Sequence, residues 1–290
     1  MKKLILSLTL AIAMVSCTKN EDDNSTITAE EATVNAKMDI ANDDVSDIVE
    51  QEESSTYSNT LNGRTIENTS SALPPCATVT RVPAFGTPIT PGTLVTKTID
   101  FGTTPCVLNN GNTVSGKIII TFTFQPTAPS HTINYTFDNF RHNAILFVGS
   151  KTFTKIMTVE TATSPSHPIV TMNMDITATF PNGNSYTRVG QRIREIIEGF
   201  GTPVFTDNRY RITGSWTTTF PNTTVQTSTI TTPLIVKMSC ILVNKPLLVS
   251  GVITIVRNNN VATLDYGNGD CDNIAVFTLN GIPNTIIIGN

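Results

Sequence analysis

Charge is scarce in this chain: Asp, Glu, Lys and Arg together make up 14% of its 290 residues, and the formal net charge is −4. A protein that holds nucleic acid through its phosphates is expected to be basic, so this balance argues against a nucleic-acid partner. Histidine is as sparse, with three residues and no dense ligand cluster around them, which argues against a zinc or haem enzyme. Spacings that mark catalytic apparatus are missing too: there is no Gly-x-Ser-x-Gly, no His-Glu-x-x-His and no phosphate-binding glycine loop. His131, His142 and His167 lie in dissimilar contexts and read as solvent-facing side chains. Aromatic residues are 7% of the chain with one Trp, Trp216, and alternation places most of them at core positions. What abounds is Thr and Asn, with 49 and 27 residues. Branched Thr suits a pleated surface and Asn suits turns, so the composition predicts β-structure.

Met1-Lys2-Lys3 supplies a short positive region, and Leu4 to Val15 an apolar stretch too short to span a bilayer comfortably. Together they predict a secretory signal over residues 1–16. The stretch ends in Met14-Val15-Ser16-Cys17, where a small residue precedes a thiol that can take a diacylglyceryl group. This end resembles the lipobox of bacterial lipoproteins, with Met14 where Leu is commoner, and it implies lipid attachment at Cys17. Glu21, Asp22 and Asp23 follow within the anchor and tether of residues 17–27, and this acidic run resembles the surface-export signal of Bacteroidota lipoproteins. Buried acyl methylenes contribute roughly 0.8 kcal/mol each, so three chains would hold the protein in the membrane. The implied location is the outer membrane, lipid-anchored and facing the cell exterior.

Residues 21–53 carry twelve acidic side chains against the single base Lys37, whereas from residue 54 onward 15 Lys and Arg face 11 Asp and Glu. The negative total belongs to the N-terminal segment, which a net positive body can attract. Thr28-Ala29-Glu30-Glu31 reads as a capping box, and Val34, Met38, Ala41, Val45 and Ile48 follow at spacings of four and three. The pattern predicts one N-terminal amphipathic, acidic helix within residues 28–53, with Asn42-Asp43-Asp44 as a point of interruption. Its apolar stripe is narrow, which suits a helix that docks on a sheet or frays. Residues 54–75, rich in Ser and ending in Pro74-Pro75, read as a polar linker.

Residues 76–290 alternate apolar and polar side chains between turn signals, as in 117–124, 170–180 and 252–256. Pro181-Asn182-Gly183-Asn184, Pro221-Asn222-Thr223-Thr224, Asn258-Asn259-Asn260 and Asn280-Gly281 supply the turns. An antiparallel all-β domain follows, as a β-sandwich in the first place or an elongated β-meander in the second. Val189, Ile193, Ile196, Ile197 and Phe200 fall at helical spacing, yet the flanking turns favour a strand near 186–198 paired with one near 208–219. An internal echo joins Asp100-Phe101-Gly102 with Cys106 to Asp265-Tyr266-Gly267 with Cys271. Each echo has an earlier Cys at a similar distance, Cys76 and Cys240. Four Cys in an exported chain allow three connectivities, of which Cys76–Cys106 with Cys240–Cys271 is favoured.

Phe137-Asp138-Asn139, the run from Thr231 to Cys240, Val249 to Ile255 and Leu264 to Asn273 resemble an uncharacterised group of Bacteroidota lipoproteins. The resemblance covers most of residues 76–290 and departs at Gly281-Ile282-Pro283-Asn284. That group carries no established activity, substrate or catalytic residue, so the resemblance implies location and fold alone.

Two constellations invite a ligand. Asp265, Asn268, Asp270 and Asp272 crowd one turn with oxygens that suit Ca²⁺, although the echo at 100–106 lacks them; no cofactor is expected. Arg188, Arg192 and Arg194 would face Arg209 and Arg211 on the next strand, and like charges so opposed call for neutralisation. An anionic glycan would neutralise them, and so would Glu195, Glu198 and the acidic N-terminal segment. The expectation is a non-catalytic binding or interaction module whose partners are the membrane and a glycan or envelope protein. Its alternatives are a periplasm-facing structural or assembly lipoprotein, and a glycan-processing hydrolase using carboxylates such as Asp138, Asp175 and Asp207.

Overall fold

The computed structural model describes residues 26–61, 73–161, 165–202 and 204–289. The proposed signal, Cys17, and the run Glu21, Asp22 and Asp23 lie outside the described residues.

Thr28 opens the single long helix, α1 (Ala29–Leu61), with a reciprocal cap. Its amide donates to Glu31 Oε2 at 3.0 Å, and the Glu31 amide donates to Thr28 Oγ1 at 3.2 Å. The helix passes through Asn42-Asp43-Asp44 without a break and continues beyond residue 53 into the segment expected to be linker. Lys97 holds that extension in place: its ammonium donates to the Glu52 carbonyl oxygen (2.7 Å) and to Ser55 Oγ (2.8 Å).

The remainder is antiparallel β-structure. The first seven strands are β1 (Thr78–Val82), β2 (Leu94–Asp100), β3 (Cys106–Val107), β4 (Thr113–Thr123), β5 (Ser130–His142), β6 (Ile145–Met157) and β7 (Pro168–Thr179). The other seven are β8 (Ser185–Glu198), β9 (Arg209–Thr219), β10 (Val225–Lys237), β11 (Leu248–Arg257), β12 (Asn260–Asn268), β13 (Ile274–Leu279) and β14 (Ile282–Ile287). They form one sheet in chain order from β1 to β14, with β2 and β3 both paired to β4. Each of the four turn signals lies at a hairpin between consecutive strands, and Asn258 and Asn280 take left-handed backbone there. The stretch with helical spacing is strand β8 as far as Ile197, paired with β9 with one register shift after Ile196, and Phe200 lies in the loop beyond.

The architecture is therefore all-β and a meander, and the two stacked sheets of a sandwich do not form. What fills the place of a second sheet is α1. Val34, Met38, Ala41, Val45 and Ile48, the apolar stripe read from the sequence, join a core with β2 to β7. Ile27, Ala32, Ala36 and Ile40, on another face, join a second core with β9 to β14. Twelve consecutive residues, 38–49, are buried, so the helix is enclosed and does not merely dock by one stripe. A helix that is buried all round is normally hydrophobic all round; this one carries carboxylates, and the sheet must answer them.

Both disulfides join the favoured partners, Cys76 with Cys106 and Cys240 with Cys271. The segments that follow Cys106 and surround Cys240 help to cover the helix: Leu108, Asn110, Met238, Ile241 and Leu247 lie around Asp44, Asp47 and Ile48. A crosslink closing a loop of about thirty residues stabilises by roughly 3–4 kcal/mol in the chain-entropy model.

Candidate functional site

Strand β8 places its even-numbered side chains inward, so Arg188, Arg192 and Arg194 share one face with Tyr186 and Ile196. All three guanidinium groups are buried. On the helix opposite, Asp39, Asp43 and Asp47 recur every four residues and form a single stripe with Glu50. The two rows match in length: six strand residues rise roughly 20 Å, and eleven helix residues roughly 16 Å.

The contacts follow that alignment. Arg188 donates to Asp39 Oδ1 (2.6 Å) and to Asn35 Oδ1 (2.9 Å). Arg192 bonds Asp39 and lies 3.5 Å from Asp43 Oδ1. Arg194 bonds Asp47 and donates to Glu50 Oε1 at 2.8 Å. Behind the guanidinium planes stand inward aromatics of β9: Arg192 lies 4.2 Å from the Trp216 ring centre, and Arg194 lies 3.6 Å from that of Tyr210. Gly190, between the arginines, is required by this layer, because a Cβ there would stand 2.4 Å from the Trp216 Cα.

The same rule extends along the whole helix. Glu31 meets Arg257 (2.6 Å), Asp44 meets His142 (2.7 Å), Glu52 meets Lys97 (3.1 Å), and Glu53 meets both His131 (2.7 Å) and Lys155 (3.1 Å). Asn110 and Asn112, on the segment after Cys106, donate to the two oxygens of Asp44 at 2.7 and 2.8 Å. Tyr266 donates its hydroxyl to Asp39 Oδ2 at 2.7 Å. Burial pushes Asp43 up to about 6, against the pull of Arg192, and Asp47 up to about 7, against Arg194. Burial first, and then Arg192, push Lys151 down to about 7, where it bonds Asn42.

Several sequence expectations change here. Arg209 and Arg211 do not join the inner three: Glu195 stands opposite Arg211 and Glu198 opposite Arg209, and both arginines turn outward to bond those partners. The five-arginine anion site is thus divided between two faces, and its inner part is neutralised by the acidic N-terminal segment. His142 does not face solvent, being 1% exposed against Asp44. Of the calcium candidates Asp265, Asn268, Asp270 and Asp272, two cap their own turns: Asp265 accepts the Gly267 amide (2.9 Å) and Asp272 the Ile274 amide (3.0 Å). Among the described residues no group of three His, Cys, Asp or Glu converges to hold a metal ion.

The echo acquires its meaning in the same way. Asp100 accepts the Gly102 amide at 2.8 Å as Asp265 accepts that of Gly267, and both glycines are left-handed. In each copy this turn buries the aromatic between them, Phe101 or Tyr266. Asp138, Asp175 and Asp207 are exposed, on β5, on β7 and in a short turn before β9. Sequence reasoning missed Asp39, Asp43 and Asp47 as individual partners of the arginines; their four-residue spacing was the available signal.

No family model matches the chain, and neither a curated protein nor a solved structure does. No helix among the described residues is long and apolar enough to cross a membrane.

Proposed function

We propose that this chain is a lipid-anchored outer-membrane lipoprotein, displayed outward, whose β domain is a non-catalytic binding or interaction module. The observation that carries the reading is the enclosure of α1 by the sheet. The helix directly behind the proposed anchor is the core of the β domain. Ile27 follows Cys17 by ten positions, and an extended tether of ten steps reaches at most about 35 Å. A domain so tethered works close to a membrane surface. The buried Arg188, Arg192, Arg194, Arg257, Lys97 and His142 are committed to helix carboxylates and Lys151 to Asn42, which supports a role exercised through the outer surface. Its partners would be a glycan or an envelope protein.

Protease accessibility of an epitope-tagged full-length chain on intact cells tests this reading, beside a variant with Glu21→Ala, Asp22→Ala and Asp23→Ala. Digestion of the first and protection of the second is the expected result. Protection of both would overturn outward display and favour a periplasm-facing structural or assembly role. A Cys17→Ala variant released from the membrane fraction would support the anchor; one that stays membrane-bound would count against it.

A further inference from the structure

At the end of the sheet where β8 runs into β9, a hollow of about 180 Å³ opens beside the C-terminal half of α1. Pockets that enclose drug-sized ligands hold roughly 300–1,000 Å³, so this one suits a single small ring. Phe200 is part of its lining. Among the described residues Phe200 and Phe85 are the exposed aromatic rings, and Phe85 is covered by the Arg81 guanidinium at 5.0 Å. Phe200 is instead presented on a shaped loop. The Thr202 amide donates to the Gly199 carbonyl (3.3 Å), Thr202 Oγ1 donates to Asp207 Oδ2 (2.9 Å), and Gly199 lies close against Asn208.

Polar groups of both kinds line the hollow behind that ring. Glu50 and Arg194 satisfy each other at 2.8 Å, and Lys155 is held by Glu53 at 3.1 Å, so the wall's charges are already matched. Gln51, which lies between this hollow and a narrower one beside Asp44, Ile48 and Leu108, has a buried amide nitrogen with no hydrogen-bond partner among the described residues. Asn208 adds a second planar amide. A wider hollow of about 290 Å³ at the opposite end lacks this combination, since its ring, Phe180, stands edge-on to Tyr186.

An aromatic face packs its negative quadrupole against the C–H face of a sugar ring, while planar amides and a carboxylate meet ring hydroxyls as donors and acceptors. Balanced wall charge selects against an acidic sugar, which would bring an unmatched carboxylate. We propose that this hollow binds one neutral hexose unit of a glycan, stacked on Phe200 and hydrogen-bonded by Gln51. This names a ligand class for the binding module inferred above and rests on that reading.

Saturation-transfer NMR on the full-length chain tests it, in a zwitterionic detergent without sugar headgroups. The probes are methyl α-D-glucopyranoside, methyl α-D-mannopyranoside and methyl β-D-galactopyranoside, beside sodium glucuronate. Transfer to at least one neutral glycoside is expected, with glucuronate binding no tighter. Phe200→Ala, at an exposed loop tip, should weaken that binding about tenfold or more, and so should Gln51→Leu, with the circular dichroism spectrum unchanged in both. The proposal is overturned by no transfer to any neutral glycoside, by binding that neither variant weakens, or by tighter, salt-sensitive binding of glucuronate. Because binding is read on purified protein, its failure leaves outward display standing, and cell-surface proteolysis decides that separately.

Discussion

Arginines occupy both faces of the β8–β9 pair, and their circumstances differ. Arg188, Arg192 and Arg194 are sealed between α1 and the aromatics of β9, each matched to helix carboxylates. Arg209 and Arg211 stand on the outer face of the same sheet, paired with Glu198 and Glu195 and partly open to water. The chemistry of the pairs is the same, so the energetic difference is one of solvent. Water screens the outer pairs and leaves each worth about 1 kcal/mol or less. Inside, a charge that loses its partner has nothing to replace it. The inner face therefore specifies where α1 sits, and the outer face is left adjustable.

The comparison can be broken most severely at Asp39, which serves Arg188, Arg192 and Tyr266 together. Asp39→Ala strands two buried guanidinium groups and should cost about 3–5 kcal/mol, read from the urea midpoint. Replacing Cys240 and Cys271 by Ser should cost roughly 3–4 kcal/mol by the same measurement. Tyr266→Phe removes one hydrogen bond to a charged acceptor and should cost about 1.5–3 kcal/mol. On the outer face, Arg211→Ala should shift the midpoint by about 1 kcal/mol or less, and added salt should shrink even that. Equal costs at Asp39 and Arg211 would erase the distinction.

Acidity sharpens the comparison further. Asp43 and Asp47 titrate at about 6 and 7 when folded, against 3.8 for the ordinary carboxyl. From about pH 4 to 7 the folded chain thus binds more protons than the unfolded one, and stability from these groups falls as pH rises. Lys151, at about 7 against 10.5, acts in the opposite sense, restoring stability as pH rises above 7. Melting followed by circular dichroism should therefore give a higher Tm at pH 5 than at pH 7, and Asp47→Asn should reduce that difference. A Tm that rises steadily from pH 5 to 7 would count against these buried carboxyls.

Much of this fold is legible in local sequence. The capping box at Thr28, the Asn- and Gly-bearing hairpin turns and the choice of strand over helix for 186–198 all rest on signals within a few residues. The disulfide pairing was legible because the echo repeats a whole device, an Asp-capped turn with a buried ring and a nearby Cys. The enclosure of α1 was not. Its apolar stripe is narrow because the rest of its surface is completed by charges from strands about 150 residues away, such as Arg188 for Asp39. The arginine register depended on pairing as well. Up to Ile196, strand β8 pairs even positions with even, as Arg188 with Thr218, so odd-numbered Arg211 turns outward; a register shift after Ile196 then sets Arg209 opposite Glu198. The helix runs on past residue 53 where Lys97, far along the chain, bonds Ser55.

The central claim is that the acidic helix is the electrostatic core of the β domain and no appended tether. Deleting residues 26–61 and following near-ultraviolet circular dichroism, with the α1 peptide then added back, tests it most directly. The account expects the shortened chain to lose its fixed tertiary signal and cooperative melting, and the peptide to restore both. A shortened chain that melts cooperatively at the temperature of the full one would contradict it.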